Sequence, residues 1–89
     1  MKRFRVINRK LKKAWGYADL EKNHVIMDKE LHGKKHLEIL IHEMTHLILP
    51  EASEEEVERI SILMTNTLWH QKYRRVDDRN ILPLQDGSK

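Results

Sequence analysis

The sequence of 89 residues contains no cysteine, only three glycines and two prolines, and 6% aromatic residues. Without cysteine, disulfide bonds and thiolate metal sites are excluded, so a transition metal would need histidines and carboxylates as ligands. No apolar run approaches the roughly 20 residues of a membrane span, and Met1–Arg5 is not followed by the apolar segment of a signal peptide. These absences predict a single cytoplasmic domain that does not enter a membrane.

Charge is distributed unevenly, although the net charge is only +3. The first thirteen residues contain seven basic residues and no acid, whereas Glu51–Glu58 contains five glutamates and no base. A basic arm can bind nucleic acid. Because neither a helix-turn-helix nor a surface of interleaved aromatic and basic residues accompanies it, a solvated strand face is favoured over a nucleic-acid interface.

Residue patterns in the first third of the chain predict three short strands. Alternation indicates strands at Phe4–Ile7, 14–20 and 24–28, and the last two form a hairpin around a turn at 21–23. Gly16, inside the second strand, indicates a bulge or the close approach of another backbone.

Two helices are predicted to follow. The first is expected from near Lys34 to about Leu49, since Pro50 disfavours a helical conformation in the residue before it. Its apolar residues occupy nearly every side, which predicts a central helix covered on most sides. Ser53 and Glu56 have the spacing of a capping box that opens the second helix. Its predicted buried face comprises Val57, Ile60, Ser61, Met64, Thr67 and Leu68.

The predicted architecture is α+β, with a small three-stranded antiparallel sheet packed with two main α-helices. Residues 1–75 would form this domain, and residues 76–89 a C-terminal tail.

The first predicted helix contains the pattern His-Glu-x-x-His, formed by His42, Glu43 and His46. Four residues make slightly more than one helical turn, so the two histidines share a face and can bind one metal ion. Glu43 lies about 100° further round the helix, where its carboxylate can reach a metal-bound water without ligating the metal. The pattern predicts a zinc site, Zn²⁺ being the metal that this motif binds in hydrolases.

A catalytic zinc needs a third protein ligand and one open position. The glutamates after Pro50 are its source if the second helix folds back beside His46, and four candidates exist: Glu54, Glu55, Glu56 and Glu58. With Val57 and Met64 taken as the centre of the buried face, Glu54 lies nearest to it, about 60° away. Glu54 is therefore favoured as the ligand, and Glu58, one turn later, as the acceptor for a histidine ring N–H.

Such a site is predicted to hydrolyse peptide bonds. Zinc lowers the pKa of a bound water to about 7, and Glu43 accepts its proton as the general base. A further oxyanion donor is often present, and Tyr17, Tyr73 and His70 are candidates among which the sequence does not choose. A peptide substrate could add a strand to the edge of the 14–28 hairpin.

The segment Ile41–His46, followed by Ser53–Arg59 and Leu68-Trp69, resembles the minimal gluzincin-type metallopeptidases often found in phage genomes, which are similar at the site to SprT-like and ImmA-type zincins. The strand segments Trp15–Asp19 and Ile26–Asp28 also resemble that group, so the likeness covers roughly residues 4–75. The gap after His46 is shorter than in most gluzincins. The resemblance implies a minimal zincin-like fold, zinc ligands His42, His46 and Glu54, and Glu43 as the base.

Two alternatives remain open at this point. A zinc that is purely structural would stabilise a small core, although such a site does not require Glu43. The chain could then be a zinc-stabilised module that binds nucleic acid or protein without protease activity. The pair His32 and His36 repeats the i, i+4 spacing, but Gly33 interrupts it, so both are expected on the surface. His24 is expected to be exposed or to contact a loop, and His70 to interact with a helix dipole.

Overall fold

The computed structural model describes residues 2–76 and has an α+β architecture, with a three-stranded sheet followed by two helices. The strands are β1 (Arg5–Arg9), β2 (Gly16–Asp19) and β3 (His24–Asp28), and the helices are α1 (Gly33–Ile48) and α2 (Glu54–His70). Of the predicted tail at 76–89, only residue 76 belongs to the described residues, and the rest lies outside them. Neither of these two helices has the length and hydropathy that crossing a membrane demands.

The sheet is mixed, in the order β1-β3-β2, so the prediction of an antiparallel sheet was wrong. β2 and β3 form the predicted antiparallel hairpin, but β1 pairs with β3 in parallel. The connection between β1 and β2 passes the end of β3, where the Asp28 and Lys29 N–H groups donate to the carbonyls of Trp15 and Arg9 at 2.8 and 3.0 Å. This crossing moves β1 to the far edge, although consecutive strands more often lie side by side.

The central strand β3 supplies most of the core. Val25 and Met27 are fully buried on one face of the sheet, and they form a cluster with Leu47 of α1. Six further apolar side chains pack against this cluster and are partly buried: Phe4, Ala18, Leu31, Ile39, Leu40 and Met44. The helix carrying the His-Glu-x-x-His pattern is thus fixed on the sheet by its apolar side chains.

Gly16 begins β2 where the sheet and α1 approach each other closely. A Cβ atom at this position would lie 2.9 Å from the Ile26 carbonyl oxygen and 3.0 Å from Cγ2 of Ile39. Gly16 is paired with Met27 in the regular register of the hairpin. Of the two sequence expectations for this glycine, close backbone approach is therefore confirmed and a bulge is not observed.

The substitution Gly16→Ala is expected to lower the free energy of unfolding by about 1–3 kcal/mol, because the added methyl group must displace backbone or α1. Urea denaturation of the variant measures this directly. Lys13→Ala, in the exposed connection before β2, is the matched control and should change stability by less than about 0.5 kcal/mol. Equal stability of Gly16→Ala and the parent chain would contradict the close approach.

Helix α1 ends at Ile48, one residue before the predicted end at Leu49. The Leu49 N–H still donates to the Thr45 carbonyl, at 2.8 Å. The prediction that α1 is covered on most sides is wrong at its C-terminal turn, where Ile48 is 61% exposed. In this turn Leu47 packs against the sheet, whereas Ile48, the next residue, lies about 100° further round the helix and remains exposed.

Helix α2 begins with the predicted capping box. Ser53 Oγ accepts from the Glu56 N–H at 3.1 Å, and the Glu56 carboxylate accepts from the Ser53 N–H at 3.0 Å. The buried residues of α2 are Val57, Ser61 and Thr65. This row of small side chains recurs every four residues and forms the contact with α1. Val57 and Ser61 are thus buried as predicted, but the predicted face was wrong at Met64, which is 47% exposed, and at Thr67, which is exposed as well.

Candidate metal centre

His42 and His46 lie one helical turn apart on α1, as their spacing requires. Their ring centroids are 5.1 Å apart, with the ring planes at 67°. Both side chains are partly buried, because α1 lies between the sheet and α2. Two imidazoles on one face of a helix thus border the gap between the helices.

Glu54, in the first turn of α2, points its carboxylate at both histidines. Its Oε2 atom lies 3.0 Å from Nε2 of His46, and its Oε1 atom lies 3.4 Å from Nε2 of His42. One ligand atom from each of these three residues falls within 4.8 Å of the others, and this is the one such group in the described part of the chain. The connection at 49–53 makes this possible, since it returns α2 antiparallel beside the end of α1.

Glu58 follows Glu54 by one turn and contacts the other nitrogen of His42. Its Oε1 atom lies 3.4 Å from His42 Nδ1. A carboxylate at Nδ1 favours the tautomer with the proton on that atom, which leaves the Nε2 lone pair facing Glu54.

Helix geometry explains why these two glutamates reach the site and their neighbours do not. With the buried row Val57, Ser61 and Thr65 as reference, Glu54 lies about 20° and Glu58 about 60° from its centre. Glu55 is on the exposed side of α2, and the Glu56 carboxylate is occupied in the capping box. The real face of α2 therefore brings Glu54 nearer to α1 than the predicted face did.

Glu43 follows His42 and is intermediate in exposure. Burial raises the pKa of its carboxyl above the ordinary value, and Glu54 adds to this effect, while His42 and His46 oppose it. A carboxylate with a raised pKa is a better proton acceptor than an ordinary one. The three residues of the pattern thus combine two imidazoles that could bind a metal with one partly buried carboxylate.

An open cleft of about 290 Å³ lies beside these groups, between the start of β2 and the helices. Its lining includes His42, Glu43 and Glu58 together with Trp15 and Gly16. β2 is an edge strand among the described strands, so its outer side has no strand partner there. The hairpin edge that was expected to receive a peptide therefore begins at this cleft.

Sequence reasoning missed the cleft residues Lys35 and Glu38. The Lys35 ammonium lies 4.4 Å from the centroid of the Trp15 ring and 3.5 Å from the Glu38 carboxylate. On α1, Lys35 lies two turns and Glu38 one turn before His42, which helical spacing alone could have revealed. Trp15 adds an exposed aromatic surface at the mouth of the cleft.

The structure brings none of the three described candidates for an oxyanion donor to this cleft. Tyr17 alternates with Gly16, which faces α1, so its side chain lies on the opposite face of the sheet, where its hydroxyl accepts from Arg9 at 2.7 Å. His70 is sixteen residues after Glu54 on α2, about 24 Å along the helix axis. Tyr73 lies beyond it.

The other histidines are separate from the face of α1 that carries His42 and His46. His32 is exposed at the N-cap of α1, as predicted, and His70 lies in the last turn of α2, the helix end at which it was expected. His24 is half-buried at the start of β3. The prediction of a surface position was wrong for His36, which is only 7% exposed because α1 buries this side against the end of α2 and the segment after it.

Comparison with models of protein families, with curated proteins and with solved structures gives no match to this chain.

Proposed function

We propose that this chain is a minimal zincin-like zinc metallopeptidase, in which His42, His46 and Glu54 hold the metal and Glu43 is the general base. The observation that carries the proposal is the convergence of two imidazole Nε2 atoms and one carboxylate at 3.0–3.4 Å, beside a partly buried glutamate and an open cleft. The α+β arrangement of sheet and two helices is consistent with that fold.

The donor set suits zinc. Histidine nitrogens and carboxylate oxygens bind zinc at about 2.0–2.2 Å, so two donors of a tetrahedral site lie about 3.3–3.6 Å apart. The distance of 3.4 Å between Glu54 and His42 lies within this range, and the distance of 3.0 Å between Glu54 and His46 is slightly shorter. Three protein donors leave one tetrahedral position for water or substrate, which is typical of catalytic rather than structural zinc.

Each of these groups then has a separate role in peptide hydrolysis. Bound zinc would supply Lewis acidity that lowers the pKa of a coordinated water to about 7 and polarises a carbonyl. Glu43 accepts the proton that the attacking water loses and returns it to the leaving amine. Glu58, 3.4 Å from His42 Nδ1, orients that ring.

The substrate would be an extended peptide. β2 offers an edge whose backbone groups can pair with an added strand, and this edge begins next to Glu43 at Trp15 and Gly16. Because the cleft is open, main-chain pairing contributes more to binding here than enclosed side-chain pockets do.

The test is hydrolysis of a broad peptide library by the zinc-loaded chain. Cleavage is expected, with loss of activity after treatment with a zinc chelator and recovery when zinc is restored, because the metal participates in the reaction. Cleavage that a chelator does not affect would contradict the proposal. Absence of cleavage by fully zinc-loaded protein, together with DNA binding that falls steeply with salt, would instead support the zinc-stabilised binding module with its basic N-terminal segment.

A further inference from the structure

The side of the sheet that is turned away from the helices carries no further layer in the described part of the chain. Val25 and Met27 of β3 pack with an α1 side chain, so Ile26 between them points to the opposite side. Ile7 and Tyr17 are the partners of Ile26 in the two neighbouring strands and share that side. The outer face of the sheet therefore comprises Arg5, Ile7 and Arg9 of β1, Tyr17 of β2 and Ile26 of β3.

Arg9 crosses this outer face. Its guanidinium donates to the Tyr17 hydroxyl at 2.7 Å, although β3 lies between the two strands and places them about 10 Å apart. An arginine laid across β3 agrees with the burial of Ile26, which is only 3% exposed. Tyr17 remains 41% exposed. The folded sheet thus joins an aromatic ring to a basic side chain, a combination that the alternation along a single strand does not show.

The positive charge of the chain is concentrated in the sheet layer. Residues 2–29 contain nine basic and three acidic residues, whereas residues 30–76 contain six basic and eight acidic residues. Arg5 is exposed on the outer face, and Lys12 and Lys13 are exposed in the connection after β1. Separation of charge on this scale attracts an anionic partner to one side of the molecule.

The acidic residues beside the outer face have local partners. Asp19 Oδ1 accepts from two backbone N–H groups in the turn after β2, at 3.1 and 3.2 Å, and Asp28 Oδ1 accepts from the Glu30 N–H at 3.0 Å. Glu30 also forms a salt bridge with Lys10 at 3.5 Å, the one salt bridge of the sheet layer within the described residues. The remaining cations of this layer are therefore not neutralised by neighbouring carboxylates there.

An open hollow of about 470 Å³ extends the outer face past the end of β3. Its lining includes Lys12, Lys13 and Trp15, together with Asp28, which is the partner of Arg9 in the sheet. Trp15 is 55% exposed. Basic and aromatic side chains thus continue from the strands into the connection that follows β1.

We propose that the outer face binds a single-stranded nucleic acid, whose phosphates contact the cations from Arg5 to Lys13 and one of whose bases stacks on Tyr17. Arg5 and Arg9 lie about 13 Å apart along one side of β1, so the cations form a row that can follow an extended phosphate backbone. The exposed ring adds a stacking surface, which an acidic peptide or an anionic membrane would not use. In a duplex the bases are already paired and stacked, so a single strand fits this surface better.

The probe is a fluorescently labelled oligothymidylate of about 12 nucleotides, and its anisotropy is followed on titration with the zinc-loaded chain. With three or four phosphate contacts, the affinity should fall about 20–50-fold between about 50 and 200 mM salt. The duplex with oligodeoxyadenylate should bind more weakly under the same conditions. Absence of saturable binding, equal or tighter binding of the duplex, or displacement by polyglutamate as effective as by unlabelled oligothymidylate would each overturn the proposal.

Variants locate the binding groups. Tyr17→Ala should weaken binding at least about fivefold, the lower end of what one base–aromatic stack contributes, whereas Tyr17→Phe keeps the ring and should stay within about twofold of the parent chain. Arg5→Gln should reduce the slope of log affinity against log salt by about 0.7, because one phosphate contact is lost. Arg5 is exposed, so this variant is informative even if Tyr17→Ala does not fold.

The matched control is Arg59→Gln, which removes the same charge from an exposed position on α2. Its affinity and its salt slope should equal those of the parent chain. An unchanged salt slope in Arg5→Gln, or a slope reduced as much in Arg59→Gln as in Arg5→Gln, would overturn the placement of the nucleic acid on the outer face.

The outer face and the proposed metal centre lie on opposite sides of the sheet, so this proposal does not rest on peptidase activity. Because a phosphate could also bind zinc, the titration is repeated on His46→Ala, which should bind oligothymidylate like the parent chain. Binding that disappears in His46→Ala would place the phosphate at the metal. That result would overturn this proposal and leave the metallopeptidase proposal intact.

Discussion

Glu43→Gln is expected to retain zinc and fold normally while losing at least about a hundredfold in peptide hydrolysis, the usual contribution of a general base. Glutamine preserves the size of the side chain but cannot accept the proton from the attacking water. Glutamine is uncharged, so it also avoids the cost of burying a carboxylate, and this cost is what raises the pKa of Glu43. The free energy of unfolding should therefore not fall. Initial rates on any peptide that the parent chain cleaves, with zinc content measured on the same samples, test this.

The matched control for this variant is Glu55→Gln, which makes the same chemical change on the exposed side of α2. It should hydrolyse peptide at the parental rate. If Glu43→Gln also retains the parental rate with full zinc, Glu43 is not the base. If it loses zinc as well as activity, Glu43 contributes to metal binding, and the role assigned to it is wrong.

Glu54→Ala is expected to lower zinc affinity by more than a hundredfold, since it removes one of three ligands. A carboxylate that only orients a ligating histidine typically contributes 10–100-fold, so Glu58→Ala should have this smaller effect through His42. Glu55→Ala should bind zinc like the parent chain, because its side chain points away from α1. Competition with a chromophoric chelator measures all three affinities under one condition.

The order of these effects identifies the third ligand. Glu54 contacts both histidines, at 3.0 and 3.4 Å, whereas Glu58 contacts only His42. A larger loss in Glu58→Ala than in Glu54→Ala would exchange the two roles. Parental affinity in Glu54→Ala would exclude it as a ligand.

Local patterns predicted the elements of this fold well, because they depend on residues close in sequence. β3 begins and ends at the predicted residues, and the capping box of Ser53 and Glu56 forms as its spacing indicates. The parallel pairing of β1 with β3 could not be read in this way. It depends on a crossing connection whose path is set by tertiary contacts and not by the alternation within β1.

Two side chains show where hydrophobicity misled the assignment of buried faces. Met64 was expected in the core because it is apolar, yet it is exposed, and Thr65 is buried instead, beside Ser61, which was predicted to be there. Small side chains allow two helices to approach closely, a criterion that an apolar pattern does not contain. His36 was expected on the surface because it is polar, but its position faces the end of α2 and is buried.

In the candidate site, too, local sequence patterns predicted what lies within one helix, and contacts between distant segments could not be predicted. The positions of His42, Glu43 and His46 relative to one another follow from one helix and could be predicted from spacing alone. The proximity of Glu54 was a prediction about two helices, and it depended on α2 returning directly after the short connection. The cleft formed by Trp15 with Lys35 joins segments distant in sequence, which no local pattern reveals.

The central claim, that His42, His46 and Glu54 form a zinc site, is tested most directly by elemental analysis. The parent chain and Glu54→Ala are equilibrated with a small excess of zinc, desalted, and measured for metal per chain. We expect about one zinc ion per parent chain, as a single three-ligand site requires, and little in Glu54→Ala. A parent chain without zinc, or a Glu54→Ala chain that retains it fully, would contradict the claim.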